Sequence, residues 1–480
     1  MIYLSFYFYI FVVILLLLYY VIPLKYRWAI LLAGSLGFYY TLSPKAWWMF
    51  ALTILITYGM GLGIERIQGK RKKQLFLIVS LVITVAPLIV SKNGEFVLGI
   101  FSRSRDYSWI VPIGLSFYTL QMISYLVDVY HGKIEAQRNM GKYALFVSFF
   151  PQIVQGPIPR YEQLGHQLYE GHRFDEREFS KGLQLIVWGF FLKLMIADKA
   201  GIVVDTIFGN TVAYQGSYVW VAGILYSIQL YADFQACVCL AKGVSQMFGI
   251  HLEDNFRHPY MAQSVKEFWG RWHMSLSAWL RDYIYIPLGG NRKGRLRKYV
   301  NIMLTFTVSG IWHGAGYKYI FWGWMHGAYQ VGGEITTKLQ NRIYEFMGMT
   351  EGRRVRIWLR RLGTFFWVMA AWIIFRADGL REGIFMLRNM VTVYNPWIFF
   401  DDSLFSLGLS MKEWCVLLAS VLVLVKVSVL QESSICIRDR ILSQTLIARW
   451  VLYITAVVVI MVFGTYGYGF EASDFIYGGF

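Results

Sequence analysis

Two histidines sit where packing alone is a poor reason for a histidine. His313 lies in Ser309-Gly310-Ile311-Trp312-His313-Gly314-Ala315-Gly316, with a neutral apolar run before it and an aromatic run over residues 319–324 after it. Polar side chains at membrane depth are costly, so each is a functional candidate by default. The flanking glycines let a second backbone or a ligand approach closely. An imidazole, with an ordinary pKa of about 6.5, is largely neutral at physiological pH and can take a proton from a hydroxyl. On position alone, a structural histidine bonded between helices is an equal alternative. His273 comes forty residues earlier, too far to form a local ligand pair but free to meet His313 in space. It belongs to a stretch, residues 267–283, whose period is helical and sets Phe268, Trp272, Ser275 and Trp279 on one face with Arg271 beside them. That pattern predicts an amphipathic helix at the cytoplasmic interface or lining a funnel; on pattern alone, an interfacial aromatic belt accounts for its tryptophans better than a substrate site does. His326 follows Trp322 and Trp324, and either lines the same cavity as His313 or bonds a neighbouring helix.

Other chemistry is absent or weak. There is no H-E-x-x-H, no phosphate-binding G-x-x-x-x-G-K-[ST] and no G-x-S-x-G. Cys237 and Cys239 form C-x-C in an apolar run with no nearby histidine, which reads as small buried side chains; no metal is expected. The four cysteines suggest no disulfide framework. Gly59, Gly61 and Gly63 lie in a hydrophobic run and read as close helix packing, not as a dinucleotide loop.

The elements that hold these residues follow from composition. Of 480 residues, 56% are hydrophobic and only 16% charged, and the mean hydropathy is +0.45. Soluble chains carry about 25% charged residues, and disorder requires low hydrophobicity. Both classes are therefore excluded. Apolar runs recur at residues 10–20, 28–42, 46–64, 75–90, 109–129, 183–208, 218–231, 300–312, 319–331, 365–375, 414–429 and 450–463. Against the length a bilayer requires, they predict about eleven spans. The first has no basic segment before it and no small-residue cleavage site after it, so it is a retained span. The net charge is +17, but the basic residues cluster between runs, at 66–73, 133–142, 292–298 and 353–361. That is the signature of cytoplasmic loops, with the N-terminus outside, and not of nucleic-acid binding. Residues 143–156, closed by Pro157 and Pro159, read as re-entrant or as a short buried helix. With no repeat or linker, the expectation is one all-α, polytopic membrane domain over 1–480, with short amphipathic and re-entrant helices beside its spans.

Several stretches, in order, resemble the membrane-bound O-acyltransferase family, and within it the bacterial branch that O-acetylates alginate-like polysaccharides and D-alanylates teichoic acids. They are residues 114–130, 150–161, 268–283, 287–291, 310–314, 322–327 and 372–378. Residues 287–291, 372–378 and the C-terminal Phe475-Ile476-Tyr477 resemble the polysaccharide acetylation members more closely. One stretch departs from the branch. Tyr231, Asp233 and Phe234 match its Tyr-x-Asp-Phe-Ser-Gly-Tyr-Ser-Asp, but Gln235, Ala236 and Cys239 replace the Ser-Gly pair and the second Asp.

The resemblance implies helices around a central tunnel in the bacterial cytoplasmic membrane. A cytoplasmic funnel admits an acyl thioester, acetyl-CoA or an acyl carrier protein, as co-substrate, and no cofactor is bound. The acceptor hydroxyl comes from the other side, on or for a cell-surface polysaccharide, and an extracytoplasmic acetyltransferase is a possible relay partner. His313 matches the family's catalytic histidine and His273 its second polar site residue, expected to hold the thioester carbonyl or assist the leaving thiolate. Arg271, Trp272, Ser275, Arg281, Asp282, Asn291, Trp312, His326 and Asp233 are the substrate-binding candidates. The arginines and basic loops are expected to attract an anionic donor. Two rivals accompany this reading: D-alanyl transfer from a carrier protein to teichoic acid, and a transporter or flippase of polysaccharide precursors.

Overall fold

The computed structural model describes residues 3–101 and 111–466. Among these, every regular element is helical. The α-helices are α1 (Phe6–Val21), α2 (Arg27–Leu42), α3 (Trp47–Arg66), α4 (Lys70–Phe101), α5 (Leu115–Tyr130), α6 (Met140–Ser148), α7 (Tyr161–Glu170), α8 (Glu176–Phe190), α9 (Asp198–Gly209), α10 (Ser217–Met247), α11 (Val265–Trp269), α12 (Met274–Leu280), α13 (Arg295–His313), α14 (Tyr317–Phe346), α15 (Arg354–Arg376), α16 (Leu380–Thr392), α17 (Met411–Glu432), α18 (Ile437–Leu442) and α19 (Leu446–Phe463). The Phe475-Ile476-Tyr477 segment lies outside the described residues.

Among the described residues, six helices are long and apolar enough to cross a membrane: α3, the Lys70–Lys92 part of α4, α10, α15, α17 and α19; α1 is apolar but shorter. The other expected runs take different forms for local reasons. α2 and α5 have 16 residues each, short for an untilted crossing. The run over 183–208 is divided between α8, a π-helical turn at Phe191–Ala197 and α9, and it carries Lys193, Asp198 and Lys199. α13 begins on Arg295, Arg297 and Lys298, and the second half of α14 is polar. Residues 143–148 form the buried part of the nine-residue α6.

α4, α13 and α15 all open on basic residues with no acid in the first turn. A helix N-terminus favours negative charge, so these cations are poorly placed for helix stability. Their position is explained by anchoring the helix end at a membrane surface. Exposed Leu17, Val82, Leu422, Ile447 and Met461 would be a liability in water and are ordinary against lipid.

The chain forms two compact units: residues up to Gly189 with Cys237–Asp254, and Phe190–Ala236 with the described residues from Asn255 onward. α10 contributes residues to both. In the first unit, a Cβ on Gly61 would lie 2.7 Å from the Tyr125 ring and one on Gly63 would lie 2.8 Å from Phe76, so these glycines set the packing of α3 on α5 and α4. Cys237 and Cys239 are buried there and form no disulfide. The second unit holds every candidate site residue and is described next.

Candidate active site

His313 is the last residue of α13, and the chain turns at once through 314–316 into α14. The two helices run antiparallel at close range, because glycine meets backbone along their seam. A Cβ on Gly310 would sit 2.3 Å from the Tyr319 carbonyl, and one on Gly323 would sit 2.3 Å from the Phe306 carbonyl. Further along, a Cβ on Gly327 would lie 2.7 Å from the Met303 sulfur. The glycines read from the sequence as permitting close approach thus admit α14. The His313 ring is 2% exposed and touches three aromatic rings: Trp312 at 4.8 Å, Trp322 at 4.9 Å and Phe375 of α15 at 5.5 Å between centroids.

His273 is held differently from the expected single amphipathic helix. The stretch over 267–283 breaks after Trp269, and α12 restarts at Met274. Gly270 ends α11, and His273 takes a left-handed conformation, φ +43°, as the residue before α12. Such a backbone costs a non-glycine residue about 1–3 kcal/mol and persists where the surroundings over-determine it. Asn255 is central to those surroundings. Its carbonyl accepts from the Met274 N–H at 2.9 Å. Its side-chain Oδ1 accepts from the Ser275 N–H at 3.1 Å and the Ser275 hydroxyl at 2.8 Å. The same oxygen lies 3.2 Å from His273 Nδ1. An oxygen already accepting from an N–H can only accept again, so Nδ1 carries the hydrogen and Nε2 is the acceptor nitrogen of His273. The ring packs edge-on to Phe234 of α10 at 4.8 Å and lies 6.2 Å from Trp312. Trp312 is thus a ring neighbour of both histidines, at 6.2 Å from His273 and 4.8 Å from His313.

His326 stands one ring beyond. It is fully buried, 5.0 Å from Trp322 and 5.1 Å from Trp269. The Trp269 Nε1–H donates to its Nδ1 at 3.2 Å. An indole N–H only donates, so His326 carries its hydrogen on Nε2, the tautomer opposite to that of His273. Trp272 lies among Phe268, Phe256 and Trp372, at 5.4, 5.0 and 5.1 Å.

The remaining candidates are not all gathered here. Arg271 is bidentate to Glu432 at 2.7 and 2.9 Å and also meets Glu267 at 2.7 Å. Its charge is taken up by two carboxylates, contrary to the expectation of an arginine open to an anionic donor. Arg281, which is exposed, and Asp282, which is half-buried, pair with each other at 2.8 Å on a π turn, Arg281–Tyr285. Asn291 is exposed, on a loop that Asn301 ties down through the Leu288 and Gly290 carbonyls. Asp233 is buried on α10 and bound to Lys193 at 2.7 Å.

Sequence reasoning missed Asn255, Trp269, Lys193 and Asp198. Asn255 lies 18 residues before His273, outside any local period, so nothing in the sequence marked it. Lys193 and Asp198 were visible as charges inside an apolar run, the same signal that singled out His313.

A known family and several known proteins match this chain. The family described as MBOAT, membrane-bound O-acyltransferase family, matches residues 137–375. The chain is similar to a probable alginate O-acetylase of Pseudomonas fluorescens, 37% identical over 373 residues, 75% of this chain and 70% of the relative. It is also similar to a peptidoglycan O-acetyltransferase of Helicobacter pylori, 32% identical over 392 residues, 75% of this chain and 73% of the relative. A teichoic acid D-alanyltransferase of Bacillus subtilis is 27% identical over 267 residues, 52% of this chain and 65% of the relative.

Proposed function

The chain belongs to the membrane-bound O-acyltransferase family, and from that premise we propose that this O-acyltransferase moves an acetyl group from a cytoplasmic thioester to a hydroxyl on or for an extracytoplasmic polysaccharide. The observation that carries the reading is the pair of buried histidines sharing Trp312 within the stretch that matches the family. The donor is acetyl-CoA or an acetylated carrier protein; the acceptor is the polymer itself or a relay protein outside the membrane. The N-terminus is outside, and about eleven crossings are reached if the shorter apolar helices also span.

In the reaction, His313 takes the hydroxyl proton as the oxygen attacks the thioester carbonyl. The carbon–sulfur bond then breaks, and the same proton passes to the sulfur, so that an ester and a thiol leave. General base catalysis of this kind is worth about 10²–10⁴-fold. His273, with Nε2 as acceptor, suits proton handling beside the hydroxyl; holding the thioester carbonyl or assisting the leaving thiolate, the two roles expected of it, would each call for a hydrogen on Nε2. His326, with its hydrogen on Nε2, is the donor type that stabilises a developing oxyanion. Trp312 and Trp322 keep water from the imidazole.

Relatives that transfer D-alanine support a second reading on a smaller share of the chain. Purified protein offered labelled acetyl-CoA, an acetylated carrier or a D-alanylated carrier separates the two. His313→Ala, with membrane expression retained, is expected to lose acyl transfer; wild-type turnover by that variant rejects His313 as the base.

A further inference from the structure

The charged cluster that joins the π turn and the start of α9 to α10 has no place in the chemistry just described. Lys193, Asp198 and Asp233 have side chains only 1% exposed, and Lys193 Nζ lies 2.9 Å from Asp198 Oδ1 and 2.7 Å from Asp233 Oδ1. Two carboxylates and one ammonium are expensive to bury. An apolar replacement of similar volume is often as stable or more so, so stability is a weak reason for such a cluster. Its location supplies a better one. Lys193 lies in the π-helical turn Phe191–Ala197, where the Asp198 N–H bonds to the Lys193 carbonyl five residues back. In an α-helix, residues five apart point about 140° away from each other around the axis. The wider π turn brings them to one face, so Lys193 and Asp198 form a pair local in the chain. Single π turns of this kind recur at functional sites.

Asp233 is the long-range member. It sits on α10 beside Phe234, whose ring packs on His273 at 4.8 Å, and two residues after Tyr231, whose ring lies 6.2 Å from Trp272 and 5.6 Å from Phe256. A grip on Asp233 therefore fixes the rotation of α10 and with it the aromatic wall behind His273. We propose that Lys193, seated by Asp198 across the π turn, is a positioning residue that acts through Asp233 and Phe234 to hold the His273 imidazole at its reacting angle. This rests on His273 serving the transfer reaction.

Lys193→Met would strand two carboxylates and is expected to unfold the protein, so Asp233→Asn is the informative variant. It leaves Lys193 and Asp198 as a balanced pair. A purely structural cluster would lose stability with activity per folded molecule unchanged. Positioning predicts the reverse in full-length purified protein assayed with labelled acetyl-CoA. The unfolding temperature stays near wild type, kcat falls about tenfold or more, KM for the donor shifts by less than about twofold, and Asp233→Glu recovers part of kcat. In a His273→Ala background, Asp233→Asn should cost nothing further. Wild-type kcat in Asp233→Asn overturns the proposal, as does a loss that multiplies with that of His273→Ala. Wild-type turnover by His273→Ala alone would instead remove the role of His273 on which the proposal rests.

Discussion

Replacing Gly310 by alanine tests whether the α13–α14 seam sets the reacting geometry. The added methyl would lie 2.3 Å from the Tyr319 carbonyl oxygen. Non-bonded heavy atoms settle near 3.5 Å, so α14 must withdraw by about 1 Å. Overpacking of this kind costs about 1–3 kcal/mol, and the better helix propensity of alanine returns up to about 1 kcal/mol. The fold should therefore survive with a modestly lower unfolding temperature. Activity should suffer more, because Trp322 travels with α14 and its ring packs on His313 at 4.9 Å. A misplacement of about 1 Å at a reacting group can cost about 10²-fold. Acyl transfer from labelled acetyl-CoA, measured beside thermal unfolding in detergent, reads both quantities. Gly332→Ala is the control on α14 itself: nothing lies within 4 Å of its Cβ position, so full activity and equal or higher stability are expected. If Gly310→Ala keeps more than half of wild-type turnover, the close seam does not set the site.

Two other substitutions probe the surroundings of the histidines. Asn255→Leu removes the acceptor that fixes the His273 tautomer and leaves the Ser275 N–H without its cap; the stranded partners should cost about 1–3 kcal/mol of stability, and kcat should fall with little change in donor KM. Glu432→Gln frees Arg271 from one of its two carboxylates. Surface pairs of this kind are worth about 0–1 kcal/mol, so unfolding should barely move, and an unchanged KM for acetyl-CoA would show that the arginine does not recruit the donor.

How far the site could be read from the sequence differs residue by residue. His313 stood out because a lone imidazole in an apolar run is conspicuous, and the glycines beside it forecast a close approach that α14 makes. Trp272 and Phe268 were placed on one face and do stack, at 5.4 Å, although the helix carrying them breaks before His273. The break was illegible because residues 267–283 keep a helical period throughout. Bonds from Asn255, outside that window, help hold His273 in its left-handed turn. Arg271 looked like a free cation because Glu432, its strongest partner, lies 161 residues away.

Composition and the spacing of apolar runs determined by themselves that this is a helical membrane protein, because the hydrophobic thickness of a bilayer acts on local segments. Together with the order of its motifs, they determined the family and marked out the two histidines as candidates. Only the tertiary structure decided which nitrogen of His273 and of His326 carries its proton, which charges are spoken for, and that His273 comes to the same Trp312 ring as His313. Those outcomes depend on single contacts between residues distant in the chain, and no local pattern of hydrophobicity records them.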